Sequence, residues 1–409
     1  MLSEYDTEKL LGMQDVEVKN IENDEKEIRI HIRQYRKSCV CPRCGRETDR
    51  VHDYRLQVAD DLPSFGKRLR LLYRKRRYVC SCGKRFYEPC DFLPRYQRRT
   101  QRMSVRMLEK LSEVCSYSSV AREYGVSGAT VMRLFDIVSY PRPKELPEAL
   151  GIDEFKGNSG SQKYHCILTD LENGRVIDIL RTRYENELID YFKQYDRSKV
   201  RYIVTDMYSA YSEVVKAFFP KATYIIDKYH WIRQSVWAFE SVRKEAQKKF
   251  SKSHRIYFKR SRTLLLKRQS ALSDEQWQQV SNMLYLDADL SSAYFLKEQL
   301  YRLLGAPSTG TDIPSADGRT IPDDDGRRKA FTDWIRAARD SGIQPFVKCA
   351  ETYSRWFEPI MNSMKVSYTN AFTEGCNNKI KVAKRNAFGF RNFTRFRNRI
   401  LYLFRDKAK

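Results

Sequence analysis

The order of strand-like and helix-like segments between residues 149 and 226 limits the fold more than any other feature of this 409-residue chain. Three short strand patterns come first, and a helix, a strand, a second helix and a last strand follow them. A turn at Glu172-Asn173-Gly174 joins the second and third strands. The predicted ranges are Ala149–Phe155, Lys163–Thr169, Arg175–Arg181, Tyr184–Tyr195, Val200–Thr205, Tyr208–Phe218 and Ala222–Ile226. This alternation predicts an α/β domain.

The same order is typical of a ribonuclease-H-like sheet, in which the first and fourth strands are neighbours. Asp153 lies in the first of these strands and Asp206 directly follows the fourth, so the sheet would bring the two carboxylates face to face. A third acidic residue, Glu374, lies on a predicted helix 168 residues after Asp206. Taken alone, each of the three would be an ordinary strand-end or surface carboxylate.

Carboxylates that only folding brings together are suited to phosphodiester chemistry, which needs an activated oxygen nucleophile and a neutralised leaving oxygen. Two divalent cations held by carboxylates provide both, and Mg²⁺ prefers such hard oxygen ligands. We therefore predict that Asp153, Asp206 and Glu374 are catalytic and hold two Mg²⁺ ions, for which Mn²⁺ is the expected substitute.

Glu374 is the one acidic residue in the basic segment 369–399, which carries eight lysines and arginines. On a helix, Asn378, Lys381 and Arg385 follow Glu374 at spacings of 4, 7 and 11 residues and share its face. We interpret these three residues as contacts that hold DNA phosphates near the metal ions. The alternative is a solvated basic helix with an incidental glutamate.

The overall charge supports a nucleic-acid partner. A net charge of +24 and an isoelectric point near 9.6 indicate a polyanionic partner and argue against an enzyme of small metabolites. No segment approaches 18 consecutive apolar residues, and the N-terminus lacks the pattern of a signal peptide. We therefore expect a cytoplasmic, nucleoid-associated protein with no membrane partner.

Two pairs of closely spaced cysteines predict a structural zinc site. Cys41 and Cys44 are separated by two residues, Cys80 and Cys82 by one, and 35 residues lie between the pairs. Two tight turns that each supply two thiolates suit tetrahedral Zn²⁺ and leave no open coordination position. The second pair is closer than the usual spacing, so three further residues stay open as substitute ligands: Cys39, His52 and Cys90. The alternative is a set of free, buried cysteines.

Residues 67–77 between the two cysteine pairs carry seven cations in eleven residues. Leu69 and Leu71 share one face of a predicted strand, so the cations can fan out from a ribbon onto phosphates. A solvated edge strand is the alternative. The predicted DNA contacts on this ribbon are Arg74, Lys75, Arg76 and Arg77.

The segment Ser118–Val131 has the pattern of a helix-turn-helix. We predict a short helix capped by Ser118, a turn at Gly125 and a second helix that begins near Ser127. The second helix would present Ser127, Thr130 and Arg133 to the major groove, although helical hairpins also occur simply as packing units. We expect specific DNA recognition within residues 37–142.

The fold class predicted from these segments is a multidomain α/β protein. It combines a zinc-ribbon-like module, a helix-turn-helix and a ribonuclease-H-like catalytic domain with an all-helical insertion, in which residues 305–326 form a loop. The predicted boundaries are 1–36 for an N-terminal β region, 37–92 for the ribbon, 93–147 for the helix-turn-helix, 148–238 and 366–409 for the catalytic core, and 239–365 for the insertion.

Several segments together resemble the ISL-three family of bacterial insertion-sequence transposases. They are CPRCG, the helix-turn-helix, GIDEFKG, VTDMYSAY, DKYHW and EGCNNKIKVAKRNAFGFRNFTRFRNRI. The resemblance covers nearly the whole chain and is weakest in residues 1–36 and 240–365. It implies a DDE catalytic domain of ribonuclease-H-like fold, interrupted by a helical insertion before the glutamate-bearing helix.

Carried over by motif, the resemblance implies that Asp153, Asp206 and Glu374 are the catalytic acids. It also implies that Asp227 and His230, which match the family's Asp-x-x-His element, are secondary active-site or DNA contacts. We therefore expect a transposase that binds the terminal inverted repeats of its element in double-stranded DNA, cuts the ends and joins them to target DNA as a homodimer. The alternatives are a catalytically inactive DNA-binding repressor and a ribonuclease-H-fold nuclease without strand transfer.

Overall fold

The chain folds into two compact units, Met1–Pro141 with Lys379–Lys409, and Arg142–Asn378. The structure, a computed structural model, describes residues 9, 11–159, 162–304, 324–387 and 389–405. The predicted contiguous catalytic segment 366–409 is therefore divided, because its residues from Lys379 onward belong with the N-terminal residues.

The first unit contains a five-stranded sheet and a small two-stranded sheet. The larger sheet has the order β1-β2-β6-β5, with β7 paired to β6; β1 and β2 are antiparallel, and β2 and β6 are parallel. β3 pairs only with β4. The strands are β1 (Val16–Asn23), β2 (Glu27–Gln34), β3 (Cys39–Val40), β4 (Glu47–Thr48), β5 (Val51–Ser64), β6 (Lys67–Val79) and β7 (Arg85–Tyr87).

Strand β6 confirms the predicted basic ribbon, and alternation decides which of its residues are buried. Leu69, Leu71 and Tyr73 point into the core of the sheet. A two-residue turn of Phe65 and Gly66, with φ angles of +54° and +73°, joins β5 to β6. Two positive φ angles in succession are the pattern of a type I′ turn, which matches the twist of the paired strands.

The predicted helix-turn-helix is present as α2 (Tyr117–Glu123) and α3 (Gly128–Phe135), preceded by α1 (Gln101–Lys110). The first cap differs from the prediction. Ser116, and not Ser118, accepts a hydrogen bond from the backbone N–H of Ser119 at 3.0 Å, because α2 begins two residues earlier than predicted. Ser127 caps α3 by accepting from the backbone N–H of Thr130 at 3.2 Å.

The sheet of the second unit has the predicted ribonuclease-H-like order. Its strands are arranged β10-β9-β8-β11-β12, so the first and fourth strands of the unit, β8 and β11, are parallel neighbours. Two helices follow β10 and β11 in the chain. The elements are β8 (Ala149–Ser159), β9 (Gln162–Asp170), β10 (Arg175–Leu180), α4 (Glu185–Phe192), β11 (Tyr202–Thr205), α5 (Ser209–Phe218) and β12 (Thr223–Ile226).

The described residues after β12 are helical, as predicted for the insertion. The predicted loop at 305–326 falls largely on residues 305–323, which lie outside the described residues, and its last residues already belong to a helix. The helices are α6 (Lys228–Lys248), α7 (Lys252–Arg260), α8 (Arg262–Leu266), a 3₁₀ turn (Gln269–Ala271), α9 (Asp274–Tyr285), α10 (Ala288–Leu303), α11 (Asp324–Asp340), α12 (Gln344–Arg355) and α13 (Phe357–Lys365). None of the described helices is long and apolar enough to cross a membrane.

Helix α13, the last helix of the predicted insertion, packs on β12 of the sheet. Asn362 donates a side-chain hydrogen bond to the backbone oxygen of Tyr224 in β12 at 2.8 Å. The rings of Tyr224 and Trp356 lie 6.3 Å apart. Two helices complete the chain, α14 (Ala371–Asn386) and α15 (Phe393–Phe404).

Helix α15 is part of the helix-turn-helix core in the first unit. The ring of Tyr402 lies 5.4 Å from that of Phe135 in α3. The buried guanidinium of Arg399 donates to the backbone oxygens of Leu111, Glu113 and Cys115 after α1. The sequence prediction missed this packing because the arginines of α15 suggested a basic DNA-binding segment. The apolar face of α15 instead completes the core formed by α1 to α3.

Candidate active site

The parallel pairing of β8 with β11 sets Asp153 beside Asp206. Val204 is opposite Gly151 in the register, and each aspartate follows its paired residue by two positions. One carboxylate oxygen of Asp153 lies within 4.8 Å of one of Asp206. The strand order recognised in the sequence thus places these two acids together.

Helix α14 brings Glu374 to the same sheet through a close approach at Gly151. The hydroxyl oxygens of Thr169 in β9 and Thr373 in α14 lie 2.8 Å apart. A Cβ atom at Gly151 would lie 2.3 Å from the Thr169 hydroxyl oxygen and 3.1 Å from that of Thr373. The absence of a side chain at this position is therefore what allows the helix to pack so near the strand.

Asp227 fixes the start of the two helices that carry the remaining site residues. Its Oδ1 accepts from the backbone N–H of Tyr229 at 2.9 Å and caps α6. Its Oδ2 accepts from the backbone N–H of Asn370, one residue before α14, at 2.7 Å. Both carboxylate oxygens of the buried Asp227 are thus hydrogen-bonded to backbone, and they hold the first turns of α6 and α14 near each other.

His230, in the first turn of α6, lies between two of the predicted catalytic acids. Its Nδ1 is 2.9 Å from Asp206 Oδ2 and its Nε2 is 3.3 Å from Glu374 Oε1. Burial lowers the pKa of His230, but the hydrogen bond to Asp206 and the nearby carboxylate charges outweigh burial and raise it to about 9. A protonated His230 thereby links Glu374 to Asp206.

Asn377 is a site residue that the sequence prediction missed. Its amide nitrogen donates to Asp153 Oδ2 at 2.7 Å, and the residue is buried. The predicted polar residue was its neighbour Asn378, which is exposed. The signal was available, because position i+3 on a helix lies on the same face as Glu374.

Asp153 and Asp206 are arranged as a site for a cation. Burial and then the charge of Asp206 raise the pKa of Asp153 to about 8. Among the described residues, Asp206 Oδ1 is buried without a hydrogen-bond partner. Two close carboxylates, one with an unpartnered buried oxygen, are the hard ligands that a divalent cation requires.

Glu154 also places a carboxylate oxygen within 4.8 Å of Asp153 and Asp206. The sequence prediction did not include it. Its side chain is already engaged, because Arg183 forms an ion pair with Oε1 and the Tyr211 hydroxyl donates to Oε2 at 3.1 Å. We therefore regard Glu154 as part of the support of the site.

The four predicted zinc ligands come together in the first unit. The sulfur atoms of Cys41 and Cys82 are 3.7 Å apart, those of Cys44 and Cys80 are 3.5 Å apart, and all four lie within 4.8 Å of one another. Four thiolates at about 2.3 Å from one Zn²⁺ have sulfur atoms about 3.8 Å apart. The one-residue spacing in the second pair therefore permits a tetrahedral site.

Backbone turns prepare both cysteine pairs for a metal. The N–H of Cys41 donates to the Arg46 oxygen at 2.9 Å, and the N–H of Cys80 donates to the Lys84 oxygen at 2.9 Å. A hydrogen bond from the backbone of Arg46 lowers the pKa of Cys44 to about 6, which favours the thiolate that zinc binds. The three substitute ligands left open by the sequence are outside the group of four: Cys39, His52 and Cys90.

The structure contradicts one predicted DNA contact on the ribbon. Arg76 is only 4% exposed and pairs with buried Glu88 at 3.1 Å, so its guanidinium is not available to a phosphate. Arg74 is exposed and lies over the Tyr54 ring. Lys75 is half-buried, and Arg77 is half-buried and bonded to Asp53 at 3.0 Å.

The remaining predicted DNA contacts lie on helix surfaces. Ser127, which caps α3, and Arg133 in α3 are exposed, and Thr130 is half-buried; the hydroxyl oxygens of Ser127 and Thr130 are 2.9 Å apart. Further along the chain, the three polar residues predicted on α14 are all exposed: Asn378, Lys381 and Arg385.

Three family models match this chain. A model described as transposase, for the DDE domain of family ISL3, matches residues 150–400, well over half of the chain. A model of the zinc finger of transposases IS204/IS1001/IS1096/IS1165 matches residues 37–82. The helix-turn-helix domain of transposase family ISL3 matches residues 88–136.

Individual proteins are similar to this chain over different shares of its length. The transposase for insertion sequence element IS1001 from Bordetella parapertussis is 26% identical over 426 residues, with 100% of both chains covered. An ATP-dependent protease of Lactococcus lactis subsp. lactis is 46% identical over 50 residues, which are 12% of this chain and 16% of that protein. The solved Drosophila P element transposase strand transfer complex has a TM-score of 0.40 at 12% identity, covering 75% of this chain and 92% of that chain.

The zinc-finger and helix-turn-helix matches coincide with the four-cysteine group and with α2 and α3. The transposase match begins in β8 and includes every carboxylate of the site, from Asp153 to Glu374. The three matches together extend from the four-cysteine group to the C-terminal helix, and the chain belongs to the ISL3 family of transposases.

Proposed function

We propose that this transposase cuts DNA at the terminal inverted repeats of its element and joins the freed ends to target DNA with Asp153, Asp206 and Glu374. The observation that carries the proposal is that Asp153 of β8 meets Asp206 at the end of β11, while His230 contacts both Asp206 and Glu374 of α14. The family supplies the reaction class, and the carboxylates supply the site.

The close pair Asp153 and Asp206, with its unpartnered buried oxygen, suits a divalent cation. Asp153, Asp206 and Glu374 would hold Mg²⁺, with Mn²⁺ as substitute, and such ions activate an attacking oxygen and neutralise a leaving one. The chain contributes the arrangement of the ligands. Asn377 orients Asp153, and Asp227 fixes the helix ends that carry His230 and Glu374.

The reaction consists of two displacements at phosphorus. In the first, a water oxygen bonds to the phosphorus at the element end, the bond from phosphorus to the 3′ oxygen breaks, and a 3′-OH is released. In the second, that 3′ oxygen loses its proton to solvent and bonds to a target phosphorus, one target P–O bond breaks, and the target oxygen that leaves takes up a proton. One P–O bond forms for each that breaks in the joining step, so joining needs no external energy source.

DNA is held by the other regions of the chain. The exposed Arg133 of α3 and the exposed cation Arg74 of the ribbon suit groove and phosphate contacts. On α14, Lys381 and Arg385 follow Glu374 on one helix face and suit phosphate contacts with little sequence information. Cutting and joining two ends also needs two active sites, so we propose at least a dimer on DNA, with the helical insertion as its contact surface.

Substitution of the acids tests this function. We expect Asp153→Ala, Asp206→Ala and Glu374→Ala to abolish Mg²⁺-dependent cutting and joining, because each removes a metal ligand. Terminal-repeat binding should stay near the wild-type level in a gel-shift assay. Glu185→Ala, an exposed acid in the first turn of α4, is the matched control.

The same assay separates the alternatives. Cutting without joining by the wild-type protein would indicate a nuclease, and binding without cutting would indicate a repressor. Near-normal cutting by any of the three alanine variants would remove that residue from the site.

A further inference from the structure

One face of α6 carries two exposed aromatic rings with a cation between them. Tyr229 is 55% exposed and Trp237 is 56% exposed. The guanidinium carbon of Arg233 lies 5.5 Å from the centre of the Tyr229 ring and 4.5 Å from that of the Trp237 ring. We call Tyr229, Arg233 and Trp237 the aromatic stripe.

The aromatic stripe is separate from the packing of α6. The buried residues of the helix, among them Trp231 and Phe239, occupy its opposite face and belong to the core of the unit. In the described part of the chain, Arg233 makes the two ring contacts and no ion pair with a carboxylate. A tryptophan left more than half exposed beside an arginine without a carboxylate partner is suited to a ligand that is both flat and anionic.

The stripe begins at the candidate active site. His230, which contacts Asp206 and Glu374, immediately follows Tyr229 in the chain. Trp237 is seven residues after His230, almost two complete turns, and so lies on nearly the same side of the helix about 10 Å further along. Since nucleotides are spaced by about 3.4 Å in a stacked strand and by more in an unstacked one, this distance corresponds to at most about three nucleotides.

Two kinds of occupant fit an aromatic and arginine surface. Trp, Tyr and Arg are also the residues that dominate protein interfaces. Nucleic acid is favoured here because of position and charge. The stripe continues from carboxylates proposed to cut DNA, and Lys244, also exposed, extends its positive charge along α6.

We propose that the aromatic stripe holds an unstacked base of the DNA strand within about three nucleotides of the phosphodiester that is cut. The base stacks on the ring of Trp237 or Tyr229, and Arg233 binds the adjoining phosphate. This inference rests on the proposed function of the carboxylates. At the aromatic stripe the duplex would be opened next to the cut, so that the scissile phosphate can reach the carboxylates.

A double-mutant cycle between protein rings and DNA bases tests this role. Full-length protein is incubated with labelled duplexes that contain the element end and its flank, each with a single abasic residue at one position within about four nucleotides of the cut. Single-turnover cutting rates are compared for wild type, Trp237→Ala, Tyr229→Ala and Trp237→Phe. The control is Tyr285→Ala, which removes a ring 91% exposed in α9 of the same unit.

On the intact duplex, Trp237→Ala should cut about 5- to 150-fold more slowly, the range expected for loss of one base stack. Trp237→Phe should recover most of the rate and Tyr285→Ala should keep it. At one abasic position the difference between Trp237→Ala and wild type should nearly vanish, because neither protein has a base to stack there.

Several results overturn the proposal. The first is a cutting rate that stays at the wild-type value in both Trp237→Ala and Tyr229→Ala. The second is a rate difference between Trp237→Ala and wild type that is equal at every abasic position. The third is a dimer that forms without DNA in wild type but not in Trp237→Ala, measured by analytical ultracentrifugation, which would assign the stripe to a protein interface. If the wild type cuts no duplex, the proposed function fails. The stripe is then judged by 2-aminopurine placed at the same positions: a fluorescence change on binding wild type but not Trp237→Ala supports it, and no change at any position overturns it.

Discussion

Asn377 and Asn378 are adjacent in α14 but have different surroundings. Asn377 is buried and donates to Asp153, whereas Asn378 is exposed. Removing a group that orients a metal ligand commonly lowers metal affinity or activity about 10- to 100-fold. We therefore expect Asn377→Ala to need more Mg²⁺ for cutting and to keep normal DNA binding, as measured by cutting rates over a Mg²⁺ titration.

Asn378→Ala is the matched control for this prediction, because it alters the adjacent residue on the same helix and leaves Asp153 bonded. If the two variants required the same Mg²⁺ concentration as wild type, Asn377 would have no part in orienting the ligand.

Arg74 and Arg76 are a second pair of close residues with different expected effects. Arg76 pairs with Glu88, and both side chains are 5% exposed, so Arg76→Ala leaves a buried carboxylate without its cation. Such a change costs about 3–5 kcal/mol, and we expect a lower melting temperature. Arg74→Ala should leave melting unchanged and weaken DNA binding evenly across sequences, with the salt dependence reduced by about one counterion.

Thermal melting and a salt titration of DNA affinity measure these two effects separately. An Arg76→Ala protein as stable as wild type would show that Glu88 finds another partner. An unchanged salt slope in Arg74→Ala would exclude a phosphate contact at that position.

At the level of elements, the approach of α14 to β8 depends on Gly151. A methyl group there would meet the Thr169 hydroxyl at 2.3 Å and a methyl carbon of Leu171 at 2.8 Å. Gly151→Ala should therefore displace the helix, reduce cutting strongly and lower stability by about 1–3 kcal/mol. The cutting assay and thermal melting together check this expectation.

Gly375 provides the control within α14. Nothing lies within 4 Å of a Cβ atom at Gly375, so Gly375→Ala meets no obstacle. Alanine should instead stabilise the helix by about 0.5–1 kcal/mol. A Gly151→Ala variant with wild-type cutting would show that α14 tolerates a larger separation from the sheet.

The four-cysteine group is expected to bind zinc and thereby to stabilise the zinc-ribbon element. We expect one zinc per chain, and Cys82→Ser should release it and unfold the strands around the group, since structural zinc supplies folding free energy. Elemental analysis and proteolysis of residues 37–82 measure both effects. Cys90→Ser, outside the group, should keep the metal; protein purified without chelator and free of zinc would contradict the prediction.

The sequence predicted those parts of the fold that depend on local pattern. Strand order and strand ends were sufficient to place Asp153 beside Asp206, and cysteine spacing predicted the four cysteines that the structure brings together. It could not separate Arg76 from Arg74, because a strand pattern does not show which cation meets a buried carboxylate such as Glu88. Asn377 was missed because the choice between two adjacent asparagines depends on the rotation of α14 against the sheet.

At the scale of the whole molecule, chain order and unit membership do not coincide. The proposed catalytic acids lie between residues 153 and 374, so more than two hundred residues separate the first from the last. The last helix, α15, belongs with the helix-turn-helix near the start of the chain. The helix-turn-helix core, where the sequence predicts specific DNA recognition within residues 37–142, therefore includes residues near the C-terminus.

Two residues of α15 connect it to the helix-turn-helix core. Tyr402 is 4% exposed and packs on Phe135, and the buried Arg399 donates to the backbone oxygens of Glu113 and Cys115 at 2.9 and 3.1 Å. In the full chain, Tyr402→Ala should cost about 3–5 kcal/mol of local stability, as removal of other large buried aromatic rings does. We expect it to weaken terminal-repeat binding in a gel-shift assay, whereas Val382→Ala, at a residue 46% exposed on α14, should not.

Fragments extend the same test. A fragment that ends at Pro147 lacks α15 and leaves the apolar side of α1 to α3 uncovered, so we expect it to bind the terminal repeat weakly and without discrimination. Joining residues 389–405 to that fragment through a flexible linker should restore discrimination between the repeat and scrambled DNA, because Tyr402 and Arg399 return to their partners. Full affinity and discrimination by the fragment that ends at Pro147 alone would show that α1 to α3 hold their recognition geometry without the C-terminal helix.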